Sequence, residues 1–124
     1  MENNKPTICI NGEVYPLATT LRVAFKIQSQ NEHRPYSEVF QELAEMPVEK
    51  QVDMVFASFA TANPEVAATF SLIPFRDYFL DNFNIKELME ILGSIINGIM
   101  GKDDEEEDSP ATSSDDTASA SEKN

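Results

Sequence analysis

The chain has 124 residues and a formal net charge of −13, enough length for one domain and too little for two ordinary ones. Residues 101–124 hold nine acidic and two basic residues, so more than half of the excess lies in the last fifth. The nine basic residues are scattered singly, which argues against a nucleic-acid surface, since counterion release needs clustered Lys and Arg; a basic partner surface or simple solubility fits the balance better.

One cysteine, Cys9, permits no internal disulfide and suits a reducing compartment. The N-terminal MENNKPTICING lacks the apolar core of a secretory leader. The longest apolar stretch, around Ile91 to Met100, is too short to span a bilayer. The expectation is a soluble protein with no membrane association.

In chain order, Thr7-Ile8-Cys9-Ile10 reads as a short strand. Asn11-Gly12 then forms a two-residue hairpin turn, and Glu13-Val14-Tyr15 the return strand, ended by Pro16. A lone hairpin is marginal in water. It must pack on the helices or on another chain's sheet, and in the second case Thr7, Ile8, Cys9 and Ile10 form a self-association edge. Thr19 or Thr20 caps a first helix to about Gln30, with Leu21, Phe25 and Gln28 on one stripe and Ala24 and Ile27 beside it. After the polar break Asn31–Pro35, Ser37 caps a short helix carrying Val39, Phe40, Leu43 and Ala44.

Pro47 ends that helix and sits in the first turn of the next, Pro47–Thr61, followed by Glu49 near the positive end of the helix dipole. At 100° per residue, Val48, Val52, Val55, Phe56, Phe59 and Ala62 share one broad face. Two phenylalanines and three valines exceed what a solvated helix needs, so this helix should be packed on more than one side, with Phe56 and Phe59 as its anchors. Asn63-Pro64-Glu65 opens a short helix to about Phe70, Ser71–Pro74 reads as a turn, and Phe75–Asn82 as a helix with Phe75, Phe79 and Phe83 four apart. Asn84 caps the last helix, Ile85 to about Ile99.

That helix carries the candidate partner-binding residues Ile85, Leu88, Met89, Leu92, Ile95, Ile96 and Ile99 on one continuous face, with Ile91 about 60° off the stripe as an exposed, partner-facing edge. Met54 stands in the corresponding position on the central helix. Beyond Met100 there is no large apolar residue, so nothing offsets the entropy of ordering residues 101–124. The expected architecture is mainly α: a domain of about five helices over residues 1–100 with an N-terminal β-hairpin, followed by a disordered acidic tail.

Chemistry has few candidates. Cys9 and His33 are the only nucleophile–base pair and occur in unrelated contexts. An EF-hand loop from Asp103 would need Gly at its sixth position and Glu at its twelfth, where Asp108 and Ser114 stand. A structural zinc site needs four ligands, and one Cys with one His falls short. The four glycines form no phosphate-binding pattern. No catalytic, metal or cofactor site is expected, and the chain reads as a binding or scaffold protein rather than an enzyme.

Several motifs follow one another along the chain. They are I-N-G-x-x-Y (Ile10, Asn11, Gly12, Tyr15), Leu21-Arg22 opening a helix, and M-P-x-E-x-x-V (Met46, Pro47, Glu49, Val52). After them come A-N-P-E (Ala62 to Glu65), F-x-x-Y-F (Phe75, Tyr78, Phe79) and K-E-L-x-E-I-L (Lys86 to Leu92). In this order, with this length, acidity and acidic tail, the chain resembles the tail assembly chaperones of long, non-contractile-tailed bacteriophages and their prophage relatives, over about residues 7–100. The resemblance implies a mostly helical, self-associating protein of the host bacterial cytoplasm. It would bind the tape measure protein, keep it soluble until tail tube subunits polymerise round it, and be absent from the finished tail. The major tail protein is a further implied partner, and a longer form made by programmed frameshift a further implied product. The rival expectation, from a different class, is an acidic phage-encoded inhibitor that mimics DNA, which the charge alone supports.

Overall fold

The computed structural model describes residues 5–101. The acidic tail expected over 101–124 lies outside the described residues from 102 onward. Among the described residues two strands, β1 (Thr7–Ile10) and β2 (Glu13–Pro16), precede six α-helices: α1 (Leu21–Gln30), α2 (Tyr36–Gln41), α3 (Val48–Ala62), α4 (Pro64–Thr69), α5 (Leu72–Asn82) and α6 (Ile85–Ile99). A 3₁₀ turn, Leu43–Glu45, joins α2 to α3. The architecture is mainly helical with an N-terminal antiparallel hairpin, as the sequence predicts.

The hairpin forms where two residues tolerate left-handed backbone: Asn11 has φ 53° and Gly12 φ 85°, the pattern of a type I′ turn, which matches the twist of the flanking strands. Its register pairs Ile8 with Tyr15 and Ile10 with Glu13. Ile8 and Ile10 are buried while Thr7 and Cys9 face out, so the period-2 pattern turns one face onto the helices. Tyr15 meets Phe59 edge-on at 5.5 Å between ring centroids.

α3 is the axis of the molecule, in contact with α1, α4, α5, α6 and β2. Val52, Met54, Val55 and Phe59 are fully buried on it, and Phe56 is half-buried. Around them close Val23 and Ile27 of α1, Val39 of α2, Phe75 and Phe79 of α5, and Leu88, Leu92 and Ile95 of α6. Six of the eight phenylalanines, Phe56, Phe59, Phe70, Phe75, Phe79 and Phe83, form one connected cluster, with Phe59 and Phe75 at 5.0 Å, Phe56 and Phe75 at 5.2 Å, and Phe79 stacked on Phe83 at 4.1 Å. Such offset and edge-on ring pairs add about 0.5–1.5 kcal/mol each beyond the area they bury.

Buried polar groups fasten the loops to this axis. Ser58, wholly buried, donates to the Ala18 carbonyl at 2.6 Å, and the Ala18 N–H donates to the Ser58 carbonyl at 3.2 Å. Gln51 donates to the Leu43 carbonyl at 2.7 Å, and Asn31, buried at the end of α1, turns back on its own helix and donates to the Ile27 carbonyl at 2.8 Å. Each satisfies a donor whose burial would otherwise cost about 1–3 kcal/mol. Asp53 of α3 and Arg76 of α5 pair at 2.8 Å, mostly shielded from solvent.

Several sequence-based expectations are corrected. Met54, expected at an exposed edge, is fully buried: a helix surrounded by neighbours has no solvent side for an off-stripe residue to occupy. Val48, expected on the packing face, is 42% exposed at the first turn. α1 buries Val23, Ala24 and Ile27, and leaves Leu21 and Phe25 outside. α2 starts at Tyr36 behind Pro35 rather than at a Ser37 cap. Pro47 stands at the N-cap of α3, just outside the helix. α5 starts at Leu72, three residues before Phe75, because Pro74 falls within its first turn, where the N–H it lacks has no helical acceptor.

Candidate interaction surfaces

The hairpin is tied down on its β2 side. Asn63 at the end of α3 donates to the Pro16 carbonyl at 2.9 Å, and the Tyr78 hydroxyl of α5 accepts from the Asn11 N–H at 3.0 Å. With Ile10–Glu13 and Ile8–Tyr15 as the hydrogen-bonded pairs next to a two-residue turn, the backbone groups of Thr7 and Cys9 point away from β2. Among the described residues no hydrogen bond reaches the N–H or C=O of Cys9. The Cys9 side chain is exposed, and Val14, paired across from it, is 67% exposed. Of the predicted edge residues, then, Thr7 and Cys9 are at the surface, whereas Ile8 and Ile10 belong to the core. β1 presents a short uncharged edge able to accept another strand.

α6 begins with a complete capping box. The Asn84 side chain accepts from the Glu87 N–H at 2.9 Å, and Glu87 accepts from the Asn84 N–H at 2.9 Å. This fixes where the helix starts, and the apolar stripe decides which face turns inward. Leu88, Leu92 and Ile95 are buried and unavailable to a partner while the fold is intact. Met89, Ile91 and Ile99 are half-buried against the core, and Ile96 is half-buried. Ile85 is 67% exposed. Ile91 therefore does not form the exposed edge expected of it; that position is held by Ile85. At the other end Gly98 meets Thr19, where a Cβ would lie 2.5 Å from Thr19 Cγ2, so only glycine allows α6 to approach the loop before α1 this closely.

A third surface was missed by sequence reasoning. Leu21 (79% exposed) and Phe25 (57%) lie one turn apart on α1, with the Arg22 guanidinium carbon 5.9 Å from the Phe25 ring centroid. The signal was present in the helical wheel. Arg22 and Phe25 lie opposite the arc of Val23, Ile27 and Ala24, and Leu21 and Lys26 fall on its two flanks. Next to it, Lys26, Ser29, Gln30, Phe56, Ala57 and Ala60 line an open groove of about 280 Å³ between α1 and α3. A second, polar hollow of about 350 Å³ lies by Asn31, Arg34, Glu42, Met46 and Lys50. There Arg34 bonds Glu42 at 2.7 Å and Glu38 at 3.5 Å. The hydrogen bond from Arg34 holds the Glu42 carboxyl below its usual range, and Glu42 raises Arg34 in turn.

Cys9 lies on β1 and His33 in the turn after α1, itself left-handed at φ 63°, and no hydrogen bond joins them. Among the described residues no three His, Cys, Asp or Glu side chains gather where they would hold a metal ion, and no helix is long and apolar enough to cross a membrane. The acidic run Asp103–Asp108 lies outside the described residues. No protein-family model, curated protein or solved structure matches the chain.

Proposed function

We propose that the protein is a phage tail assembly chaperone, which binds the tape measure protein in the host bacterial cytoplasm, keeps it soluble, and promotes tail tube assembly without entering the finished tail. The observation that carries the reading is the ordered set of motifs, whose residues stand at the joints of the fold. Asn11-Gly12 makes the hairpin turn, Pro47 heads the central helix, Asn63-Pro64 links α3 to α4, and Lys86–Leu92 opens α6.

The surfaces support the same job. A long helical client presents apolar stripes to be covered, and Leu21, Phe25 and Ile85 offer exposed apolar contacts on a firmly packed body. The uncharged β1 edge suits self-association by strand pairing, with Thr7 and Cys9 supplying the backbone groups. The net charge of −13 opposes uncontrolled aggregation of such assemblies. The major tail protein is the second partner this role entails.

Co-expression tests the reading. A helical fragment of the tape measure protein encoded with this chain should stay in the supernatant when the chain is present and precipitate when it is not. Equal precipitation in both cases would sink the proposal.

A further inference from the structure

Among the described elements α1 alone is net positive: it carries Arg22 and Lys26 and no acidic residue. Neither cation is ion-paired within the described residues, whose salt bridges involve Arg34, Arg76 and Lys86. Both stand beside the exposed Leu21 and Phe25. α5 carries the matching pattern with the opposite sign. Ile73 (59% exposed) and Leu80 (48%) lie on its outer side. Asp77 and Asp81 are exposed beside them and likewise unpaired among the described residues. Phe75 and Phe79 hold the other side of α5 in the core. Both helices pack on α3 and turn these faces to the outside, so the match is available between copies of the chain.

The two patterns agree in spacing, in hand and in polarity. Each charged pair is four residues apart, about 6 Å along a helix axis. At 100° per residue the cations of α1 follow the Leu21–Phe25 pair by roughly 100°, and the carboxylates of α5 follow Ile73 and Leu80 by roughly 70°, in the same rotational sense. Helices so marked set charge against charge and apolar against apolar only when they lie antiparallel. In a parallel pair the charged side of each would meet the apolar side of the other. Laid antiparallel, Arg22 stands opposite Asp81 and Lys26 opposite Asp77, and the Phe25 ring enters between Leu80 and Ile73. Each helix also carries a charge at the unfavourable end of its own dipole. Arg22 is in the first turn of α1, where no acidic residue offsets it, and Asp81 is in the last turn of α5, where no basic residue does. The antiparallel seating brings these two charges together.

We propose that the chain binds a second copy of itself by laying α1 antiparallel on the copy's α5, with two ion pairs along one side and an apolar seam along the other. The two faces differ, so the contact is heterologous and passes from copy to copy until the assembly closes. It is separate from the β1 edge and holds whether or not the protein is a chaperone. A client that covers Leu21 and Phe25 has to displace a copy.

The test sediments the full chain from about 10 μM to about 1 mM and follows its backbone amides over the same range. Association should appear within it, and the amides of residues 21–29 and 73–81 should move together. Asp77→Lys with Asp81→Lys should weaken association about tenfold or more, although it makes the chain four charges less negative and so lowers the general repulsion. Arg22→Glu with Lys26→Glu should weaken it to a similar degree. Each change suits the dipole of the helix it alters, so the thermal midpoint should hold or rise, which separates lost association from lost folding. All four substitutions together leave the net charge at −13 and should restore association. Asp81→Lys should rescue Arg22→Glu better than Asp77→Lys does, as the antiparallel register requires. A wild type that stays monomeric at about 1 mM would overturn the proposal. Association unchanged in both double variants would overturn it too, by assigning the contact to another surface such as the β1 edge. Amides of α1 and α5 that move only on addition of a tape measure fragment would do the same, by giving these faces to the client.

Discussion

Phe59→Ala is the substitution that weighs most on this structure. The ring is wholly buried and meets Tyr15, Phe56, Phe70 and Phe75 at centroid distances of 5.5, 6.1, 6.4 and 5.0 Å. It thus joins the hairpin, α4 and α5 to the central helix. Truncating a buried phenylalanine costs about 3–5 kcal/mol, against a total of about 5–15 kcal/mol for a small domain. At about 4–8 °C per kcal/mol, the midpoint should fall by some 12–40 °C in a thermal scan followed by far-ultraviolet circular dichroism. Phe56→Ala should cost clearly less, because Phe56 is half-buried and one side of it lines the groove beside α1. Phe25→Ala, on the exposed face, should stay within about 0.5 kcal/mol of wild type. A loss at Phe25 as large as that at Phe59 would mean that α1 packs by the opposite face, and the account of the core would fail.

The two glycines of α6 should answer oppositely. Gly93→Ala meets nothing within 4 Å and should raise the midpoint through the roughly 1 kcal/mol gain in helix propensity. Gly98→Ala collides with Thr19 and should fail to stabilise or should lower it, with Thr19→Gly restoring the difference. Asn84→Ala removes half of the capping box and should cost about 0.5–2 kcal/mol, read from denaturant midpoints. By carbon-detected titration the Glu42 carboxyl should lose its proton at lower pH than an ordinary glutamate. Its folded-state pKa is depressed, so its small contribution is present above the unfolded value and is lost as pH falls through the folded one; Arg34→Gln should move the titration back up. Ile85→Asp should leave the thermal midpoint nearly unchanged while weakening client binding, whereas Ile91→Asp, packed against the core, should destabilise the fold.

What was legible in the sequence is what local chemistry decides. Asn11-Gly12 specifies a tight turn because few other pairs accept φ > 0 twice, and Asn84 with Glu87 marks a helix start through two reciprocal hydrogen bonds. α3 was recognisable as central from its excess of large apolar residues. What surrounds it was not, because a wheel drawn for one buried face cannot show how many neighbours a helix has; Met54 was misplaced for that reason. The face of α1 was misjudged because the large Leu21 and Phe25 were taken as the centre of the stripe, whereas the smaller Val23, with Ala24 and Ile27, forms the buried arc. Ser71–Pro74 was read as a turn, whereas Pro74 stands among the first residues of α5. The surfaces depend on packing still more. Ile91 and Ile85 are equally apolar in sequence, and only the seating of α6 makes one half-buried and the other exposed.

The proposed chaperone role is tested most directly with purified components. A helical tape measure fragment unfolded in urea is diluted into buffer with increasing amounts of the chain, and light scattering is followed. Scattering should fall as the chain is added and vanish at a fixed stoichiometric ratio, with the Ile85→Asp chain requiring more protein to reach the same suppression. Scattering that is indifferent to the chain at every ratio would contradict the account.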